Sequence, residues 1–132
     1  MKPKYLMTAS AITLGGAGII LTFIPEEILT SCRLEATKPL QLLVQIIGAL
    51  YFGFGMLNWM TKSSLIGGIY NRPIAVANFT HFLIAGLALV KGIISIPDLP
   101  IIIWVAGILY SIFAVLFGFI LFRHPVSDKN LL

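Results

Sequence analysis

The chain has 132 residues, of which 58% are hydrophobic and only 11% are charged, and its mean hydropathy is +0.99. These values lie far outside the range of a soluble domain and indicate an integral membrane protein. We therefore attribute the net charge of +4 to membrane topology and expect no nucleic-acid partner. The single cysteine, Cys32, excludes an internal disulfide and a cysteine-based zinc site.

Four apolar segments of 20 to 22 residues are long enough to cross a bilayer as helices. They extend over about residues 5–24, 39–60, 73–94 and 101–122. Pro39, Pro73 and Pro100 stand at or beside the expected helix starts, where a missing N–H group has no cost. The sequence predicts an all-α polytopic membrane protein in which residues 1–132 form one transmembrane domain, a compact four-helix bundle with short connectors.

The distribution of lysine and arginine predicts the orientation of the spans. With the N-terminus inside, the cytoplasmic side holds Lys2, Lys4, Lys62, Arg72, Arg123 and Lys129. The opposing connectors hold Arg33 and Lys38. Because positive residues favour the cytoplasmic side, both termini are predicted to be cytoplasmic.

Each span carries a stripe of small or polar residues through which membrane helices usually associate. On the first span the stripe is Thr8, Ala11, Gly15, Gly18 and Thr22. On the second it is Gln41, Gln45, Gly48, Phe52, Gly55 and Trp59. On the third it is Asn78, His81, Ala85, Ala88 and Gly92, and on the fourth Gly107, Ser111, Ala114 and Gly118. The short last connector predicts that the third and fourth spans are antiparallel neighbours.

Two groups of polar residues within the spans are candidate binding residues. Near the outer end, Lys91 with Gln41 and Gln45 would line a vestibule for an anionic head group or acidic ligand. The alternative is that Lys91 extends its ammonium to the interface. In the inner half, a second group comprises Asn58, Trp59, Asn78, Thr80 and His81. It is either a ligand site or a hydrogen-bonded clasp between helices, with Asn78 and His81 facing the interior.

The predicted spans contain few residues that could act in catalysis. No aspartate or glutamate lies inside a predicted span, so His81 has no intramembrane carboxylate with which to share a proton. One histidine does not make a metal site, and His124 lies at the predicted cytoplasmic edge. We therefore expect no catalytic residues, no metal and no cofactor.

Three stretches resemble the small four-span bacterial membrane proteins grouped as DoxX-like. They are FIPEEIL at 23–29, QIIGALYFGFGMLNWM at 45–60 and NRPIAVANFTHF at 71–82. The resemblance implies a multi-pass protein of the bacterial cytoplasmic membrane, and it assigns no catalytic residue. Some members are linked to quinone-dependent oxidoreductases as accessory subunits. A sterol-biosynthesis scaffold family shares the four spans.

The leading functional hypothesis is a non-catalytic membrane protein that binds a lipid or lipophilic ligand, or that assists a larger membrane complex. Membrane lipids, such a complex or further copies of the chain are the expected partners. The alternative is a transporter or channel subunit with a polar path, lined by Gln41, Gln45, Asn78, His81 and Lys91. A third alternative is a membrane-embedded lipid-modifying enzyme.

Overall fold

The computed structural model describes residues 2–64 and 71–123, and within these ranges all regular structure is helical. The five helices are α1 (Pro3–Phe23), α2 (Pro25–Ser31), α3 (Lys38–Thr61), α4 (Arg72–Ser95) and α5 (Ile101–Phe122). Four of them, α1, α3, α4 and α5, are long and apolar enough to span a membrane. The four predicted spans are therefore confirmed, each end within two residues of its expected position. The chain is an all-α, multi-pass membrane protein built as a compact helical bundle.

The short helix α2 was not predicted, because its residues were treated as a polar connector. Pro25 occupies its first position, and Glu26 and Glu27 lie in its first turn, where carboxylates interact favourably with the helix dipole. The helix ends in a left-handed residue, Arg33, with φ 58°. The Leu34 N–H then donates to the Leu29 carbonyl oxygen at 2.9 Å, which is a Schellman-type ending.

Helices α1 and α3 pack with their backbones in direct contact. A Cβ atom added to Gly18 would lie 2.5 Å from the Phe52 backbone nitrogen and 2.7 Å from the Gly48 oxygen. A Cβ atom at Gly55 would lie 2.6 Å from the backbone nitrogen of Gly15. Gly15, Gly18, Gly48 and Gly55 of the predicted stripes are therefore confirmed in the seam of an α1–α3 hairpin, whereas the stripe residues Gln45 and Trp59 are exposed.

Helices α4 and α5 form the second hairpin. Gly107 of α5 faces Ile93 of α4, whose Cδ1 would lie 2.7 Å from an added Cβ atom, and Gly118 faces Phe79. The α4 stripe was wrong at one position, because Ala88 is exposed and the buried face instead continues through Gly86. The predicted stripe consisted mainly of small residues, whereas the large aromatic side chain of Phe82 also lies on the buried face of α4. The buried residues of α4 are Ala75, Asn78, Phe82 and Gly86.

Aromatic rings of the α4–α5 hairpin form a core with apolar residues of α1. Phe82 of α4 stacks on Phe113 and Phe117 of α5, with ring centroids 4.7 and 5.6 Å away. Met7 and Leu14 of α1 complete this core and are fully buried. A groove between α1 and α5 remains open beside this core.

An exposed ion pair ties the two hairpins together at the α2 end of the bundle. Arg33, which follows α2, contacts Asp98 in the connector between α4 and α5. The Arg33 Nη1 atom lies 3.2 Å from the Asp98 carboxylate oxygen and also donates to the Asp98 carbonyl oxygen at 3.0 Å. Since both side chains are largely exposed, the pair contributes little stability.

Candidate functional site

Asn58 of α3 and Asn78 of α4 form a reciprocal pair in the bundle interior. The Asn58 Nδ2 group donates to Asn78 Oδ1 at 2.7 Å, and the Asn78 Nδ2 group donates to Asn58 Oδ1 at 2.8 Å. Both side chains are fully buried. Two of the polar residues singled out in the sequence are therefore brought together, as a link between the hairpins.

The remaining amide hydrogens of this pair also have acceptors. Asn58 Nδ2 donates to the Ser10 hydroxyl of α1 at 3.0 Å, and Asn78 Nδ2 donates to the Ile74 carbonyl oxygen at 3.0 Å. The Ser10 hydroxyl donates in turn to the Met7 carbonyl oxygen. Since an asparagine amide has only two N–H donors, the pair has no donor left for a ligand. This geometry is that of a clasp joining α1, α3 and α4.

Sequence reasoning did not select Ser10, which lies one residue from the predicted α1 stripe. The sequence signal for Ser10 was a hydroxyl in the half of its span that lies away from α2, at a depth comparable to Asn58 and Asn78. Trp59 and Thr80, which were placed in the same group, are instead exposed. Trp59 lies under the Lys62 ammonium, whose Nζ is 2.8 Å from the ring centroid, so it makes a cation–π contact away from the clasp.

His81 lies one turn beyond Asn78 on α4, half-buried and surrounded by aromatic rings. Its ring centroid is 5.5 Å from that of Tyr51, 5.4 Å from that of Phe54 and 5.5 Å from that of Tyr110. The His81 Nε2 atom is buried and makes no hydrogen bond within the described residues. His81 therefore belongs to an aromatic cluster, separate from the asparagine clasp.

A groove of about 360 Å³ lies between α1 and α5, in the half of the bundle next to α2. Its walls are mainly aliphatic, and Ile28 of α2 contributes at one end. The two walls include Leu14, Ala17, Leu21, Ile102, Ala106 and Leu109. Within the described chain, no lining residue carries a charge. A groove of this size and polarity is typical of sites that bind small apolar molecules.

Three hydroxyl-bearing residues line the same groove. They are Thr13 of α1, Tyr51 of α3 and Tyr110 of α5. The Tyr110 side chain is 6% exposed, and its hydroxyl makes no hydrogen bond within the described part of the protein. The Tyr51 phenol is the polar group beside the Tyr110 hydroxyl, but the pair does not meet the distance and angle of a hydrogen bond.

Sequence reasoning missed both tyrosines, although a signal was present. Tyrosine is enriched at membrane interfaces, where its hydroxyl reaches water. Tyr51 and Tyr110 instead occupy the middle of α3 and of α5. A tyrosine at that depth needs a hydrogen-bonding partner within the membrane, which makes it a candidate site residue.

The outer vestibule proposed from the sequence is not assembled. Gln41 donates to the Ala36 carbonyl oxygen at 2.8 Å, and Gln45 donates to the Thr22 carbonyl oxygen at 3.3 Å. Lys91 is exposed, and across residues 2–64 and 71–123 it hydrogen-bonds to neither glutamine. Gln41 therefore links α3 to the connector that precedes it, and Gln45 links α3 to the end of α1.

No group of three potential metal ligands occurs among the residues that the structure describes. His124 lies outside those residues. No protein family, curated protein or solved structure matches the chain. The likeness to DoxX-like proteins therefore stays a prediction, and functional inference depends on the geometry of the groove, the aromatic cluster and the clasp.

Proposed function

We propose that this protein holds a lipid or another lipophilic molecule in the groove between α1 and α5. The observation that carries the proposal is an uncharged groove of about 360 Å³ that opens along two apolar spans. Ligand sites commonly have volumes of about 300 to 1,000 Å³, largely apolar walls and a few polar groups. The three hydroxyl-bearing residues in the groove supply such groups.

The position of the groove favours a ligand that arrives through the bilayer. Ile20 and Val105 line it from opposite walls and are also 45% and 57% exposed on the outer surface of the bundle. In a membrane these outer surfaces contact lipid, so a lipophilic molecule reaches the groove without crossing water. The proposed protein is a non-catalytic membrane component, acting alone or within a larger membrane complex.

Support for the transport alternative is weaker. The donors of Asn78 are used within the clasp, and the amide groups of Gln41 and Gln45 bind backbone carbonyl oxygens. Lys91 lies on the exposed surface of α4. These side chains do not line a common path through the described bundle, which a conducting pore requires. An enzymatic role lacks a carboxylate beside His81 within the described spans.

The proposal includes a bacterial cytoplasmic membrane location with both termini inside. It is supported by the six lysines and arginines predicted on the cytoplasmic side, against two in the opposing connectors. In this orientation the groove lies in the outer half of the bilayer, because it is at the α2 end of the bundle.

Native mass spectrometry of the gently purified protein tests the proposed function. We expect the wild-type protein to retain a bound lipophile. Ala106→Phe should reduce retention because it fills the groove from the α5 wall, and Ala17→Phe should do so from the α1 wall. Ala88→Phe is the matched control, since Ala88 is exposed on α4 and does not line the groove. Equal retention by all four proteins, or no adduct on the wild type, would contradict the proposal.

A further inference from the structure

We propose that the ligand of the groove carries one uncharged oxygen function, such as an alcohol, ester or ketone, which hydrogen-bonds to Tyr110 near the middle of the membrane. This inference rests on the proposed function and specifies the chemical class of the ligand. It also specifies an orientation, with the polar end deep in the bilayer and the apolar end towards α2.

The depth of the polar groups gives the orientation. Counting 1.5 Å per residue, Thr13 lies about 15 Å from the start of α1 and Tyr110 about 14 Å from the start of α5. Both positions are near the middle of their spans. The opposite end of the groove, at Leu21, Ile28 and Ile102, is aliphatic. The polar end of the groove is therefore the deep end.

The unsatisfied hydroxyls show where the ligand oxygen would bind. Tyr110 is buried, and its hydroxyl has no hydrogen-bond partner in the described chain. The Thr13 hydroxyl likewise makes no hydrogen bond to a described residue. On the same helix, Thr8 and Thr22 each donate to the carbonyl oxygen four residues earlier, so Thr13 departs from its neighbours. A buried hydroxyl without a partner, such as that of Tyr110, is unfavourable, and a hydrogen bond to a ligand oxygen would offset this cost.

The absence of charge excludes ionic head groups. No lysine, arginine, aspartate or glutamate lines the groove within the described residues. A charged or zwitterionic head at this depth would be desolvated without a counter-charge, which is strongly unfavourable. A phospholipid keeps its head at the interface and so would leave Thr13 and Tyr110 unsatisfied. A ligand with a single neutral oxygen on a long apolar chain would bond to these hydroxyls without placing a charge inside the membrane.

His81 lies beside the two tyrosines of the groove but does not itself line the groove. Its ring centroid lies 5.5 Å from those of both Tyr51 and Tyr110. The His81 Nε2 atom is buried and has no hydrogen-bond partner among the described residues. The hydroxyls that line the groove, those of Thr13, Tyr51 and Tyr110, can both donate and accept hydrogen bonds, which suits an alcohol or carbonyl oxygen.

Quenching of tryptophan fluorescence in lipid nanodiscs tests this inference. The chain has two tryptophans, so Trp59→Phe leaves Trp104 of α5 as the sole reporter, two residues from Ala106 of the groove. The probes share one chain and differ only in the head: 9,10-dibromooctadecan-1-ol, 9,10-dibromooctadecane and 9,10-dibromooctadecyl sulfate. We expect saturable quenching by the alcohol, with an affinity about fivefold to tenfold above that of the hydrocarbon or the sulfate.

Tyr110→Phe should lower the affinity for the alcohol to that for the hydrocarbon, and Thr13→Val should also weaken it. Tyr5→Phe is the matched control, because Tyr5 is 65% exposed at the other end of the bundle and should leave the affinity unchanged. An equal or higher affinity for the sulfate would overturn the inference, as would an alcohol preference that survives both groove variants. These outcomes leave the groove as a binding site, whereas no saturable quenching by any probe would overturn the proposed function as well.

Discussion

The side-chain amides of Asn58 and Asn78 donate to each other across the boundary between the two hairpins, at 2.7 and 2.8 Å. Replacing one by leucine leaves the other amide buried with unsatisfied groups, at a cost of about 1 to 3 kcal/mol. Replacing both removes the polar groups together. We expect the double variant Asn58→Leu/Asn78→Leu to be less destabilised than the sum of the two single variants.

A double-mutant cycle, measured by unfolding in mixed detergent micelles, checks this prediction. The expected coupling energy is about 1 to 2 kcal/mol, in the upper range for hydrogen bonds between membrane helices. Additive losses would show that the reciprocal pair contributes no specific energy.

The glycine seam between α1 and α3 gives a second prediction. Gly18→Ala should destabilise the protein by about 1 to 3 kcal/mol, because its Cβ atom would lie 2.5 Å from the Phe52 backbone nitrogen. Gly53→Ala is the control, since nothing lies within 4 Å of its Cβ position, and it should be neutral or slightly stabilising. The measurement is the free energy of unfolding of both variants. Similar values for the two would mean that the helices approach less closely.

Lys91 should be dispensable for folding. It is exposed and makes no hydrogen bond or ion pair within the described residues. We therefore expect Lys91→Gln to leave the free energy of unfolding within about 0.5 kcal/mol of the wild type. The same variant should retain the bound lipophile in native mass spectrometry. Loss of the ligand with an unchanged fold would instead restore the vestibule hypothesis built on Gln41 and Gln45.

The single cysteine reports both topology and reactivity. Burial raises the pKa of the Cys32 thiol above its ordinary value. Because the thiolate is the reactive form, alkylation by a membrane-impermeant maleimide should be slower at pH 7 than that of a free thiol and should accelerate as the pH rises. In intact cells the thiol should be accessible from outside, since it lies between the first two spans. Labelling only after cell lysis would indicate the opposite orientation.

Much of the fold was predictable because the membrane restricts the choices. Spans must be apolar, helical and about 20 residues long, so their number and bounds followed from the lengths of the apolar runs and from the prolines beside them. The α1–α3 seam was also predictable, since Gly18, Gly48 and Gly55 repeat at helical spacing. The α4 face was predicted only in part, because Phe82 and Gly86 contact α5 and neither belonged to the predicted stripe.

The candidate site was harder to predict. In a membrane sequence, amide and charged side chains are the most conspicuous candidates, and Asn58, Asn78 and His81 were selected for this reason. Of these, Asn58 and Asn78 form the clasp. The groove depends on how α1 packs beside α5, and a contact between spans so distant along the chain leaves no local pattern in the sequence. Tyr51 and Tyr110 became informative only when the structure placed them in one groove.

Photocrosslinking in native membranes reports directly whether the groove between α1 and α5 is occupied. The probes are a long-chain alcohol and a phosphatidylcholine, each with a diazirine at mid-chain. We predict saturable labelling by the alcohol, mapped by peptide sequencing to residues 13–21 and 102–110 and abolished by excess unlabelled alcohol. Ala106→Phe should remove this labelling, and Ala88→Phe should preserve it. Unsaturable labelling by both probes, spread over the exposed faces of all four spans, would contradict the account.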